Sequence, residues 1–366
     1  MPELIYASSF QKGSFKLLEL GNETVAASLE QCGKLVIKGQ REDEAVLCTD
    51  NQTYSLHEAP TSNSLLLATP QDDDTMNVVD DLSYIIEIKP CLPRLERITT
   101  LLQSTMYAGP AAESSIQGKR LYTYQDMLSL VQASEQELKE GLKSKHAFEL
   151  DGYYRILDPA FMYNLLDTLA NNATLYDIDL QAIPLDGAKT CIRQYPEEGD
   201  KIPDAVVIAC LDAFGVWRED GVTVALDEYK VCRFIGEYLL SSERGKEWPL
   251  EEYVNLWRNL VRKRVQDIFS PDLSMLRGLY TMRERTQLQF MQPQQYLSYF
   301  PVSELPNDPL QRFARLFAEK KQWTPDEILP YIEDLAPDQK KKDALLLKYT
   351  RTQKSNGQLF YGTRIK

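Results

Sequence analysis

Histidine is nearly absent from this 366-residue chain: His57 and His146 stand alone in different segments. A His-rich metal site, paired-His catalysis or a Ser–His–Asp arrangement has almost nothing to build on. No Gly-x-Ser-x-Gly occurs. Gly245-Lys246, beside a helical pattern, follows Gly236 by nine residues instead of five, so there is no phosphate-cradling loop and no reason to expect nucleotide hydrolysis. The six cysteines, Cys32, Cys48, Cys91, Cys191, Cys210 and Cys232, form no Cys-x-x-Cys and read as scattered buried thiols. No apolar run is long enough to span a bilayer; Ala205–Trp217 is interrupted by Asp212. Met1-Pro2-Glu3-Leu4 lacks the basic and apolar regions of a signal peptide, so a cytosolic or nuclear protein without membrane partners is expected. No cofactor, metal or enzymatic activity is expected.

The length corresponds to roughly two to four domains. Hydrophobic residues at 43% and charged residues at 26% describe a globular chain. Its 41 Lys/Arg and 54 Asp/Glu give a net charge of −13, which by itself argues against nucleic acid. The charge is uneven, however. Residues 1–113 and 114–230 each carry −9, whereas 231–366 carry +5. Eight basic residues and one acid, Asp343, occupy 340–366. An acidic body and a basic end suit different partners.

The first third reads as all-β. Runs at Phe15–Leu20, Leu35–Lys38, Ala45–Cys48, Thr53–His57, Leu65–Ala68 and Tyr84–Lys89 are separated by turn residues. These are Gly21-Asn22, Gly39, Asp50-Asn51, Pro60 with Ser62-Asn63, and Pro70 with Asp72-Asp73-Asp74. The acidic run reads as a solvated loop, with a divalent-ion site as the alternative. Tyr84–Lys89 meets Pro90, which suits an edge strand. A self-contained barrel and a sheet whose edges accept a partner's strands both remain open. Pro110–Gly118 reads as a linker.

Beyond it one order recurs: helix, turn, helix, hairpin. Thr123 opens a capping box with Asp126, and Ser134 opens another with Glu137. Asp151-Gly152 then marks a hairpin turn. A second, vaguer copy has a helix over Pro249–Val261, another starting at Ser270-Pro271, and strands at Thr286–Met291 and Gln295–Phe300 joined through Pro293. The third has Thr324-Pro325 with Glu327, a helix from Asp338 bearing Ala344, Leu345, Leu347 and Lys348, and a turn at Asn356-Gly357. Phe161–Asn171, Pro203–Phe214 and Asp227–Leu240 are further helices. The pattern predicts an α+β protein: an N-terminal all-β barrel-like domain (1–113) followed by three tandem winged-helix domains (114–183, 184–305 and 306–366).

Lys340-Lys341-Lys342 lies in the opening turn of a helix, where basic side chains oppose the dipole. In a winged helix that turn meets DNA. Lys348, Arg351, Lys354 and Arg364 extend the basic surface, and all seven are candidate DNA contacts; a solvated basic face is the alternative. Arg262-Lys263-Arg264 suits a helix end or DNA equally. Glu135, Glu137 and Glu140 make the first unit's second helix a protein-facing rather than a phosphate-facing surface. His146, before a strand, reads as structural.

Several strings resemble the sister-chromatid cohesion family called "defective in sister chromatid cohesion" (DCC). They are Leu47–Leu56 with Ala59–Leu67, Leu101-Leu102 with Tyr107–Pro110, and Glu149–Leu157. Further on come Leu305-Pro306, Asp308-Pro309, Arg312-Phe313, Leu316-Phe317, Trp323-Thr324, Ile328, Pro330–Ile332 and Lys348-Tyr349. The resemblance implies a non-catalytic accessory subunit of an alternative, replication-factor-C-like clamp loader in DNA replication and sister chromatid cohesion. It implies two partner subunits sharing a triple β-barrel with the N-terminal region, and docking of the catalytic part of DNA polymerase epsilon by the barrel and its neighbouring winged helix. It also implies single- and double-stranded DNA bound by the C-terminal winged helices, indirect action on the sliding clamp, and a place in the nucleus. A tandem winged-helix protein–protein scaffold without DNA binding is the other reading.

Overall fold

The computed structural model describes residues 3–21, 23–71, 74–285, 294–336, 338–355 and 357–364. Asn22, Asp72, Asp73, Thr286–Met291, Pro293 and Asn356, which carry parts of the expectations above, lie outside them. The chain is mixed α+β and divides into two units. The first holds Met1–Leu102, Leu121–Lys145 and Gly152–Tyr154; the second holds Gln103–Arg120, His146–Asp151 and Arg155–Lys366.

In the first unit the strands are β1 (Glu3–Tyr6), β2 (Leu17–Glu19), β3 (Val36–Lys38), β4 (Val46–Cys48), β5 (Thr53–Pro70) and β6 (Thr75–Pro90). A helix, α1 (Glu23–Gln31), interrupts what the sequence suggested was all-β. The expected strands at Thr53–His57 and Leu65–Ala68 are one long strand. Pro60 and Ser62-Asn63 fall at a register break against β6 between Pro60 and Leu65 instead of forming a turn. A bulge tolerates a proline that cannot donate to the ladder. β6 is not an edge: β5 flanks it on one side, and β1 and β2 pair with it in parallel on the other. The sheet runs β1–β6–β5–β4–β3 with β2 also on β6. Among the described residues it does not close into a barrel. Val25, Leu47, Tyr54 and Ile88 form its core.

The same unit contains α2 (Glu96–Leu102), α3 (Tyr124–Leu130) and α4 (Glu135–Ser144). Both expected capping boxes are present: Asp126 N donates to Thr123 Oγ1 at 3.2 Å, and Glu137 N to Ser134 Oγ at 3.2 Å. Side-chain bonds tie the helix pair to the sheet. Lys38 Nζ donates to Ala133 O at 2.6 Å, Gln132 Nε2 to Glu44 O at 2.6 Å, and Thr53 Oγ1 to Glu137 Oε2 at 2.5 Å. Burial pulls the Lys38 amine below its usual range.

The division between units passes through the hairpin β7 (Phe148–Leu150) and β8 (Tyr153–Arg155). Its turn has φ 52° at Asp151 and 84° at Gly152, as the Asp-Gly signal predicts.

In the second unit, Pro110–Ile116 is a 3-10 helix, not a loose tether. The buried Arg155 guanidinium clamps it, with Nη1 and Nη2 donating to Glu113 at 3.0 and 2.8 Å. One element order then recurs in three runs. The first is α5 (Pro159–Leu175), β9 (Ile183–Pro184), α6 (Leu185–Ile192), α7 (Asp204–Phe214), β10 (Gly215–Trp217) and β11 (Thr223–Leu226). The second is α8 (Glu228–Ser242), β12 (Glu247–Pro249), α9 (Leu250–Val265), a 3-10 turn at Leu273–Leu276, β13 (Tyr280–Arg285) and β14 (Gln294–Tyr299). The third is α10 (Pro309–Glu319), β15 (Gln322–Trp323), α11 (Pro325–Ile328), α12 (Gln339–Tyr349), β16 (Thr350–Ser355) and β17 (Gln358–Thr363). Each three-stranded sheet places its last strand between the other two. The stretch 184–305, read above as one copy, contains two of these hairpins, because the short strands β9 and β12 leave almost no alternation to see in sequence.

The helix expected from Ser270-Pro271 is only the four-residue turn, capped by Asp272. The basic triplet at 262–264 does end α9, but Arg264 points into the core, 3.0 Å from Asp167 and 4.2 Å over the Tyr163 ring. The large core spans the first two runs; Phe300, Leu305, Phe313, Leu316, Trp323, Ile328, Tyr331, Ile332 and Leu346 form a separate core in the third.

Burial also pushes the His146 imidazole below its usual range; Lys230 adds repulsion, and Asp212 acts the other way. The unfolded chain therefore binds a proton that the folded chain resists, and stability falls as pH drops through about 6.5. His146→Asn, which tolerates the left-handed φ of 51° there, is expected to flatten this dependence. Urea midpoints at about pH 8 and about pH 5 measure it; identical shifts in both proteins would remove His146 from the response.

Candidate nucleic-acid interface

The seven expected DNA contacts all belong to α12 and the hairpin after it, yet they do not share one surface. Asp338 caps α12, accepting from Lys341 N at 2.8 Å, and its carboxylate offsets the basic first turn. The helix phase is set from the other end. Leu346 is buried and Tyr349 stacks on Phe313 with ring centroids 5.1 Å apart. At 3.6 residues per turn, Lys342 and Leu345 then fall on the core side, and Lys342 is half-buried. Lys340 lies on the outer face with Ala344 and Leu347, and Lys341 and Lys348 flank it. The lysine triplet is thus divided around the helix.

The strand β16 divides the remaining cations. Arg351 pairs with Gly362 and Lys354 with Leu359. Three residues apart on a strand, they point to opposite faces. Lys354 shares its face with the buried Thr350, and Arg351 turns to the other face. There, with Lys320, Lys321, Gln322, Gln353 and Gly362, Arg351 lines an open cleft of about 740 Å³. The two arginines also hold backbone: Arg351 Nε donates to Thr363 O at 2.9 Å and Arg364 Nη1 to Leu347 O at 2.6 Å. Lys341 lies 3.8 Å from Asp338, and Lys348 sits 5.0 Å over the Tyr349 ring. Among the described residues the side chains of Lys340, Lys342 and Lys354 make no hydrogen bond or ion pair.

The sequence missed Lys320, Lys321 and Leu347. Leu347 was named on the helix from Asp338 but not as a contact; it is 76% exposed, whereas Leu346, not named, is the core residue. Spacing back from Tyr349 by three carries the signal that Leu346 faces inward.

A second candidate surface is the open sheet of the first unit. Leu4, Ile5 and Tyr6 are exposed on β1, Leu17 and Leu18 on β2, and Ile37, 66% exposed, on β3 at the other edge. Ile37 also lines a cleft of about 380 Å³ together with Lys34, Asp50, Leu128 and Glu135.

None of the six cysteines is in a disulfide, and among the described residues no helix is long and apolar enough to cross a membrane and no cluster of metal-ligating side chains occurs. Fold and surfaces define an α+β protein with apolar sheet edges in its first unit and a repeated helix–hairpin order whose last run carries an exposed basic helix. The model of the family "Sister chromatid cohesion protein Dcc1" matches residues 15–332, and the chain belongs to that family. It is 31% identical to the sister chromatid cohesion protein DCC1 of Xenopus laevis over 99% of this chain and 92% of that one. It is 30% identical to that of Homo sapiens, covering 98% and 90%, and 24% identical to that of Saccharomyces cerevisiae, covering 92% and 93%. The family name is that of a cohesion protein, not of an enzyme. The family match ends before α12.

Proposed function

We propose that the chain is a non-catalytic accessory subunit of an alternative, replication-factor-C-like clamp loader in the nucleus, with partners at its N-terminal end and DNA at its C-terminal end. The helix–hairpin runs are winged helices in this reading. The observation that carries the DNA assignment is a contrast between helices at one position of the order. In α7 seven of eleven residues are buried. At that position in the second run only the turn Leu273–Leu276 stands. α4 begins with Glu135 and Glu137. α4 also carries Lys139 and Lys143 but three glutamates outweigh them, whereas α12 sets four lysines against the single acid Asp343; among the described residues α12 is thus the exposed helix at that position with a positive balance, the one suited to phosphate.

The apolar edges of the open sheet support the partner half. Such edges are normally covered, and strands from two partner subunits would complete a shared triple barrel. The catalytic part of DNA polymerase epsilon would dock on this end, where the acidic α4 belongs to the same unit; contact with the sliding clamp would be indirect.

Binding of the full chain to single- and double-stranded DNA over a range of salt tests the reading. Lys340→Ala with Lys341→Ala is expected to weaken binding and to flatten the plot of log affinity against log salt by about 0.9 per lost duplex phosphate contact. An unchanged affinity and slope would leave the scaffold reading.

A further inference from the structure

We propose that Leu347 contacts base edges in a DNA duplex, through the methyl groups that thymine presents in the major groove, an inference that rests on the DNA reading of α12. Leu347 is, at 76% exposure, the most exposed large apolar side chain among the described residues. It shares the outer face of α12 with Lys340 and Ala344, with Lys341 and Lys348 at the flank. The Arg364 guanidinium sits against its carbonyl. Asp343, one turn before Leu347, accepts from Gln339 Nε2 at 2.8 Å, and the lysines outnumber it; an apolar side chain among such cations suits a polyanion that also offers apolar surface. The duplex supplies both: amines take the phosphates, and the thymine C5-methyl is the apolar group within the major groove. Ala344, with its short side chain one turn away, leaves the helix room to approach.

The test uses the intact chain and two duplexes of one sequence, one with every thymine replaced by uracil. The wild type is expected to bind the uracil duplex about fourfold more weakly per contacted methyl, the transfer free energy of one CH₂ group. Leu347→Ala is expected to lose that thymine preference while its salt slope stays unchanged, and Leu347→Met to restore it. The side chain is exposed, so the fold tolerates both variants. A wild type indifferent to uracil, or a Leu347→Ala variant that keeps the preference, overturns the contact even if the lysine variants behave as expected. Absence of DNA binding by the wild type overturns the DNA reading as well.

Discussion

Trp257→Ala is expected to destabilise the second unit by about 3–5 kcal/mol, the range for truncating a fully buried large aromatic. Trp257 is 0% exposed on α9. Its Nε1 donates to Cys232 O of α8 at 2.9 Å, and its ring lies 6.0 Å from that of Tyr253. The site cannot collapse easily, because the facing α8 is already drawn close. A Cβ on Gly236 would meet Leu276 Cδ2 at 2.7 Å and the Trp257 ring at 3.0 Å. A glycine that weakens a helix by about 1 kcal/mol is thus tolerated for close approach. The shift of the urea transition, followed by hydrogen exchange in α8 and α9, measures the effect. A change below about 1 kcal/mol would mean that the neighbours refill the space. Trp257→Phe keeps most of the packing and is expected to fall well short of the alanine variant.

Arg312→Ala is expected to unfold the last run selectively. The side chain is almost completely buried. It donates to Pro306 O at 2.6 Å, Tyr331 O at 3.1 Å and Asn307 Oδ1 at 3.2 Å, and it pairs with Asp334. Asp334 remains half exposed, so its stranded charge matters less than the orphaned carbonyls, each worth roughly 1–3 kcal/mol. A total of about 2–6 kcal/mol follows for the two carbonyls. Lysine cannot supply the planar fork and should recover less than half. Because the last run has a core of its own, hydrogen exchange should quicken in α10 and α12 and not in α8 or α9. If the proposed function holds, DNA binding should fall with it while assembly through the N-terminal sheet persists. Equal loosening of both cores would contradict this independence.

Much of the candidate site was visible in the sequence because its signals are local. The basic composition of 340–366, the Asp338 cap and the hairpin around Gly357 need no distant residue. Which lysines stand together was not visible. Three successive leucines, 345 to 347, admit several helix phases, and the packing of Tyr349 on Phe313 selects the one that buries Leu346, turns Lys342 inward and leaves Leu347 outside. The opposite aim of Arg351 and Lys354 follows from strand alternation once β16 is placed.

By itself the sequence determined the capping boxes at Thr123 and Ser134, the Asp151-Gly152 turn, the long helices, the family strings and the split of charge. The caps, the turn and the helices depend on neighbours within a few residues, whose hydrogen bonds and φ angles are set locally, and the strings and the charge are read from the sequence directly. The tertiary structure alone decided that β1 and β2 lie beside β6, more than sixty residues away, and that the sheet among the described residues stays open. It also decided that Lys38, Gln132, Thr53 and Glu137 bind a helix pair to that sheet. Strand partners and helix phase are settled by which surfaces lose the most water when the chain closes on itself, and that depends on residues far apart in sequence.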